Sequence, residues 1–268
     1  MRSLKNSLAL IILPVISCNT LIVTAENLPD QATVKLGAYF ISSADTDIRI
    51  NPQGTLLGTN IKYSKDLGGD DQETVPRLSG YYRFNDYHRI DYGYFKVDRD
   101  GTRLLDTDIV IGDETYTANS SISSSLNVNI YKISYTHSFY HNEKVELGLS
   151  AGLHMMDYKF TANSNNNHHT DNSFMAPLPV VGYLMNYNIT SAWSTYVQSD
   201  IFFIEVDNNY KGSLTDLRFG TEYRAFKNTG FGINLSRMSL NAEVTDDSFR
   251  GSINDVYNGI NLYVALYF

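Results

Sequence analysis

The sequence predicts an all-β protein, an up-and-down antiparallel transmembrane β-barrel of about ten strands. Three observations predict it. Apolar and polar residues alternate with period two in one segment after another. The connections between these segments alternate between short and long. The chain closes on INLYVALYF, residues 260–268, a strand with one apolar face that ends on an aromatic.

The first 25 residues are set apart as a cleavable export signal: Arg2 and Lys5 lead into the apolar LALIILPVIS of residues 8–17, and Val23-Thr24-Ala25 supply slim residues before Glu26. That apolar run is too short for a membrane helix of roughly 20 residues. The competing reading takes Val15-Ile16-Ser17-Cys18 as a lipoprotein box that would lipidate Cys18, the single cysteine. Residues 26–268 are then one β-barrel domain.

Composition agrees. The chain carries 20 Tyr and 13 Phe with only 19% charged residues, which favours strands. A net charge of −8 excludes a nucleic-acid partner, since phosphate binding needs clustered Lys and Arg. No apolar run after residue 30 is long enough for a membrane helix.

The strands are expected at 33–49, 74–85, 88–98, 126–140, 144–160, 175–187, 191–205, 212–226, 229–242 and 255–268. Short polar turns join them at residues 85–88, 141–144, 188–190 and 227–230, and the longer polar stretches fall at 99–125, 161–173, 206–211 and 244–254. Tight turns at one end and long loops at the other are the habit of membrane barrels. Residues 58–63 fit either a hairpin in the first long loop or a further strand, so eight and twelve strands also remain open.

Each strand divides into two faces. Leu147, Leu149, Ala151 and Leu153 oppose Glu146, Gly148, Ser150 and His154; Leu217, Phe219 and Tyr223 oppose Asp216, Arg218, Glu222 and Arg224. The apolar face is assigned to lipid and the polar face to the lumen. The lumen charges are therefore Arg77, Arg83, Arg89, Asp91, Glu146, Asp200, Arg218, Glu222 and Arg224. Arg rather than Lys dominates, which suits confined ion pairs. The alternation changes phase near Tyr131, Met155 and Val181, which reads as bulges or rim positions. Aromatic girdles are expected from Tyr82, Phe84, Tyr140, Tyr187, Trp193, Phe226, Tyr267 and Phe268.

The search for chemistry returns little. His137 and Ser138 are neighbours on a strand and point to opposite faces. His154 shares the lumen face with Ser150 and Glu146, which reads as a packed polar network. His168-His169 lies in an Asn-rich loop without a second metal-ligand pair. Asp70-Asp71, Asp106, Asp108 and Asp113-Glu114 form acidic loops without the pattern of a calcium loop. No catalytic set, metal site or cofactor is expected.

On the terminal strand, the signal peptide and the loop alternation, the chain resembles the small outer-membrane β-barrels of the OmpA-like and OmpW-like type. The resemblance covers the mature chain as architecture. It implies a location in the Gram-negative outer membrane. It also implies that Ile260, Leu262, Val264, Leu266 and Phe268 form the signal read by the barrel-assembly machinery. Lipid and lipopolysaccharide are the expected surroundings, and a monomer the expected state. Three functions stay open: a structural or porin-like narrow barrel, a surface interaction protein, and a lipid-modifying enzyme. The first is favoured, as non-enzymatic.

Overall fold

The computed structural model describes residues 30–52, 58–166, 168–206, 210–245 and 250–268. The proposed export signal, the cleavage site and Cys18 lie outside the described residues.

Ten long strands form the wall: β1 (Ala32–Ile50), β3 (Glu73–Asn85), β4 (His88–Leu104), β7 (Ser121–His141), β8 (Val145–Ser164), β9 (His169–Asn188), β10 (Trp193–Val206), β11 (Tyr210–Phe226), β12 (Thr229–Thr245) and β13 (Arg250–Tyr267). Each pairs antiparallel with its neighbour, and β13 returns to β1 to close the barrel. The start of β1 meets Phe268 there: Phe268 N–H donates to Ala32 O at 2.9 Å and Ala32 N–H to Phe268 O at 3.1 Å. A terminal aromatic strand is thus paired on both sides, and no backbone edge is left at the closure.

The ten expected strands are all present, and the four short turns stand where they were expected. The strands reach further at the loop end. Residues 99–104 and 121–125, expected as loop, continue β4 and β7. The remainder of that loop holds a hairpin of β5 (Ile109–Ile111) and β6 (Glu114–Tyr116).

The expected phase changes at Tyr131, Met155 and Val181 are not bulges. Even-numbered residues face inward along the whole of β8, from Glu146 through His154 and Met156 to Ala162. β7 likewise keeps Ile122, Leu126, Ile130, Ser134, Thr136 and Ser138 inward, and its register slips only between Ser138 and Tyr140. What changes along each strand is polarity. In the turn-end half the inward face is polar and the outward face apolar. In the loop-end half the inward face is mostly apolar, with Ile48, Val97, Ile122, Leu126, Met156, Phe160, Leu240 and Ile253 all buried, around one buried polar network in which Arg99 donates to Thr46 and Thr46 and Tyr158 donate to Asp255. The outward face there is Asp45, Asp98, Asp100, Ser123, Lys159 and Asp171, all exposed. The barrel is inside-out in one half relative to the other.

The physical reason is the solvent. Lipid rewards apolar side chains on the outer wall and leaves the lumen free to be polar. Where the wall stands in water, stability needs an apolar interior instead. On β7 the outward apolar run extends from Tyr131 to Phe139. At about 3.4 Å per residue and a barrel tilt, that is a band on the order of 20 Å tall.

The loop-end core is completed by the first long loop. The β1–β3 ladder stops at Ile41↔Glu73. Beyond it β2 (Ile61–Lys62) pairs with β1 at Ile48↔Ile61, and Gly69 bridges Gly101 of β4. Residues 58–63 are therefore neither a membrane strand nor a full hairpin. They lead into the one-turn helix α1 (Tyr63–Leu67), whose Tyr63 and Leu67 are buried in the core. Gly68, at φ +73°, ends the turn in the left-handed conformation that glycine adopts without penalty. Tyr63 Oη donates to Arg99 O at 2.7 Å, and burial pushes its phenol up to about 12.

A second interruption is left open. The β9–β10 ladder runs only from Ser194↔Asn188 to Ile201↔Val181. Beyond it, among the described residues, the upper part of β9 has no ladder partner on that side. Its exposed positions there include Pro177 and Pro179. Proline lacks the N–H that a free strand edge would otherwise present.

Candidate functional site

The turn-end half of the lumen is a polar vestibule with a cavity of about 620 Å³. All nine charged residues expected in the lumen project inward, and all but Asp200 line this cavity. Period-two geometry on a continuous wall brings them together: residues far apart in sequence sit at the same height on neighbouring strands.

They form three clusters. In the first, from β3, β4, β7 and β8, Arg83 holds Glu146 with two contacts of 2.8 and 3.0 Å. Arg89 pairs with Asp91 at 3.0 Å and reaches Glu146 at 3.6 Å. Thr136 donates to Asp91 at 2.6 Å, Ser138 donates to Glu146, and both guanidinium groups lie over the Tyr81 ring.

The second cluster spans the barrel seam. Lys35 bonds Glu222 at 2.7 Å, and Glu222 also accepts from the hydroxyls of Tyr263 and Tyr267. Arg224, nearer the rim, grips Asp30 with two contacts of 2.8 Å and stacks on Tyr267. Tyr267, expected in the lipid-facing girdle, is therefore inward, because its position continues the polar face of β13. The other expected girdle residues are exposed on the outer wall: Tyr82, Phe84, Tyr140, Tyr187, Trp193, Phe226 and Phe268.

The third cluster forms where the vestibule meets the apolar core. Lys132 contacts Asp200, His154 Nε2 stands 3.5 Å from the same carboxylate, and Arg218 lies 3.5 Å from both Asp200 and Asp216. His154 thus meets Asp200 over the intervening β9 rather than the Ser150 and Glu146 expected of it. His154, Asp200 and Asp216 offer ligand atoms within 4.8 Å of one another. Two carboxylates facing Lys132 and Arg218 are already neutralised, and a divalent ion there would add uncompensated charge. The residues fit an ion-pair floor better than a metal centre.

Above the floor, Arg77 is in no ion pair among the described residues. Ser236 accepts from it at 3.4 Å, and the rings of Tyr39 and Phe95 lie 5.2 and 4.8 Å from its guanidinium carbon. Lys35 and Lys132 were missed as lumen charges, and Asp216, placed on the lumen face, was not counted among them. Lys132 was hidden by the polarity change beside Tyr131, which was read as a bulge or rim position. Strict alternation carried through Tyr131 would have found it.

The remaining candidates scatter. His137 faces outward beside His88, ring centroids 5.0 Å apart. His168 bonds Glu114 of β6 at 2.6 Å and leans on Tyr116, so part of the Asn-rich loop is anchored to the hairpin. Ile260, Leu262, Val264 and Phe268 face outward on the lipid side of β13, with Leu266 half-buried between them.

No protein-family model matches the sequence, and no curated protein matches it. Among solved structures, the outer membrane protease OmpT of Escherichia coli aligns with a TM-score of 0.55 at 11% identity, over 91% of this chain and 99% of that one. The attachment invasion locus protein Ail of Yersinia pestis gives 0.36 at 10% identity, over 88% and 99%. The toluene transporter TodX of Pseudomonas putida gives 0.35 at 10% identity, over 90% and 91%. Only the first score is high enough to speak to the fold, and at that identity it speaks to the fold alone. Closed ten-strand topology, outward apolar band and this likeness agree: the chain has the fold of a small outer-membrane β-barrel.

Proposed function

We propose that this chain is a non-enzymatic barrel of the bacterial outer membrane, exported by its N-terminal segment, with a lumen closed to through-flow. The observation that carries this reading is the polarity inversion. Turn-end residues enclose a charged vestibule, whereas loop-end residues fill the barrel axis mainly with aliphatic and aromatic side chains packed around the buried Thr46–Arg99–Asp255 network. The cavity lining includes no residue of that apolar core. An ion would have to cross this packed interior, whose one buried polar network is already bonded within itself, and an unpaired charge there costs many kcal/mol. With the short turns and both chain ends in the periplasm, the vestibule opens inward to the cell envelope and the core faces out.

A structural role is thereby favoured over a narrow pore. The protease activity of OmpT is not carried over: fold likeness alone does not transfer it. The buried His154–Asp200 pair is sealed from both mouths, and His137 points to lipid. A surface-interaction role is the second reading. It is favoured by the β5–β6 hairpin, which the His168–Glu114 contact holds to the neighbouring loop.

The test is planar-bilayer conductance of the folded mature chain, with folding shown by heat-dependent gel mobility. Silence is expected. Discrete, salt-dependent steps would overturn the closed lumen and restore the pore. Removal of Phe268 should sharply reduce the heat-modifiable, membrane-assembled form in cells. Normal amounts of that form would remove the terminal strand as an assembly signal.

A further inference from the structure

The loop-end core is sealed around most of its circumference, and the exception is the open seam between β9 and β10. Inward residues at this height are buried elsewhere: Leu240 is 0%, Phe160 5% and Ile253 6% exposed. At the seam the inward side chains are uncovered. Phe174 of β9 is 37% exposed and Ile204 of β10 is 41% exposed. Ala176 and Phe202, also inward, are only partly buried against the core. The outward positions on the two lips are apolar as well, with Met175 at 62% and Phe203 at 75%. The Phe174 ring lies stacked on Tyr158 at 4.8 Å, so the crevice is walled by aromatic faces.

The comparison with the other interruption is informative. Between β1 and β4 the same kind of gap is filled by β2, α1 and the Gly69–Gly101 bridge. Between β9 and β10 no such element stands among the described residues. The free edge of β9 carries Pro177 and Pro179, which remove backbone donors from it. A strand from another molecule would find few hydrogen bonds there, whereas an apolar chain would need none.

The height of the seam names the occupant. It begins at Val181 and Ile201, which belong to the outward apolar band, and rises past Met175, level with Asp157 on β8. It is continuous with the lipid-facing surface at the loop-end side of that band.

We propose that the β9–β10 seam is a lateral binding crevice for the acyl chain of a lipid in the outer leaflet. Phe174, Ala176, Phe202 and Ile204 form its floor; Met175, Val181, Ile201 and Phe203 form its lips. The inference rests on the apolar band lying in a bilayer, as the proposed function requires. Uncovered aromatic and aliphatic area is the driving force, roughly 25 cal/mol per Å² removed from water.

The test uses the full mature chain folded into vesicles of phospholipid brominated on the acyl chains. Trp193, the only tryptophan, lies at the turn-end interface and reports insertion. With Trp193→Phe as background, Phe202→Trp places an indole in the crevice, and Phe160→Trp places one in the sealed core. The expected result is loss of most of the Phe202→Trp emission, with the Phe160→Trp emission retained. Phe174→Trp is the second crevice probe should Phe202→Trp fold poorly. Unquenched crevice probes, in vesicles that do quench Trp193 of the parent chain, would overturn the crevice. Equal quenching of the Phe160→Trp probe would overturn its location. An unquenched Trp193 in the parent would instead overturn the membrane reading itself.

Discussion

The two halves of the barrel use one wall to opposite ends. Toward the turns, Leu149 on β8 faces outward into the apolar band while Glu146 and Ser150 face the lumen. Toward the loops, Lys159 of the same strand faces outward while Met156 and Phe160 fill the interior. From Leu149 to Phe160 the backbone register does not change; the one slip against β7 lies nearer the turn, between Ser138 and Tyr140. The difference teaches that the inside of a barrel has no intrinsic polarity. Whichever face meets water is polar, and the other face takes up what is left.

Four substitutions would break or sharpen that comparison. Glu146→Ala would act most strongly, because it leaves Arg83 and Arg89 facing each other without their shared carboxylate. A loss of about 3–5 kcal/mol is expected in urea unfolding from vesicles. A loss well below that would mean that vestibule water compensates for the missing charge. Met156→Ala, in the loop-end core, should cost about 2–5 kcal/mol by the same assay, through the cavity it leaves. A neutral result would mean that half is not a packed interior.

Leu149→Arg should cost about 2–4 kcal/mol when that side chain faces mid-bilayer lipid. Unchanged stability would show that the apolar band lies elsewhere on the wall. Lys159→Leu, a change of the opposite sense on the outer wall of the loop-end half, should move stability by no more than about 0.5 kcal/mol. The Lys159–Asp171 contact of 3.6 Å that it removes is exposed and contributes little. A clear stabilisation in vesicles would place lipid against Lys159 and erase the distinction between the halves.

The residues also show why some features could be read from sequence and others not. Ten strands and four tight turns were legible because period-two alternation and turn chemistry are local. The nine named lumen charges, Lys132 and Lys35 not among them, were legible for the same reason, since inward and outward are decided by parity alone. The inversion was not legible as such. From sequence, an apolar face that becomes polar at constant parity looks like a phase slip, and so Tyr131 and Met155 were read as bulges or rim positions.

What the sequence by itself determined is the strand, its parity and its turn, because these follow from the dihedral preferences and side-chain geometry of adjacent residues. What only the tertiary structure decided is who meets whom across the lumen. Lys132 reaches Asp200, Lys35 reaches Glu222, and α1 fills the gap beside β1 while the gap beside β9 stays open. Those pairings join residues tens to nearly two hundred positions apart. They depend on the curvature and closure of the whole wall, which no local pattern encodes.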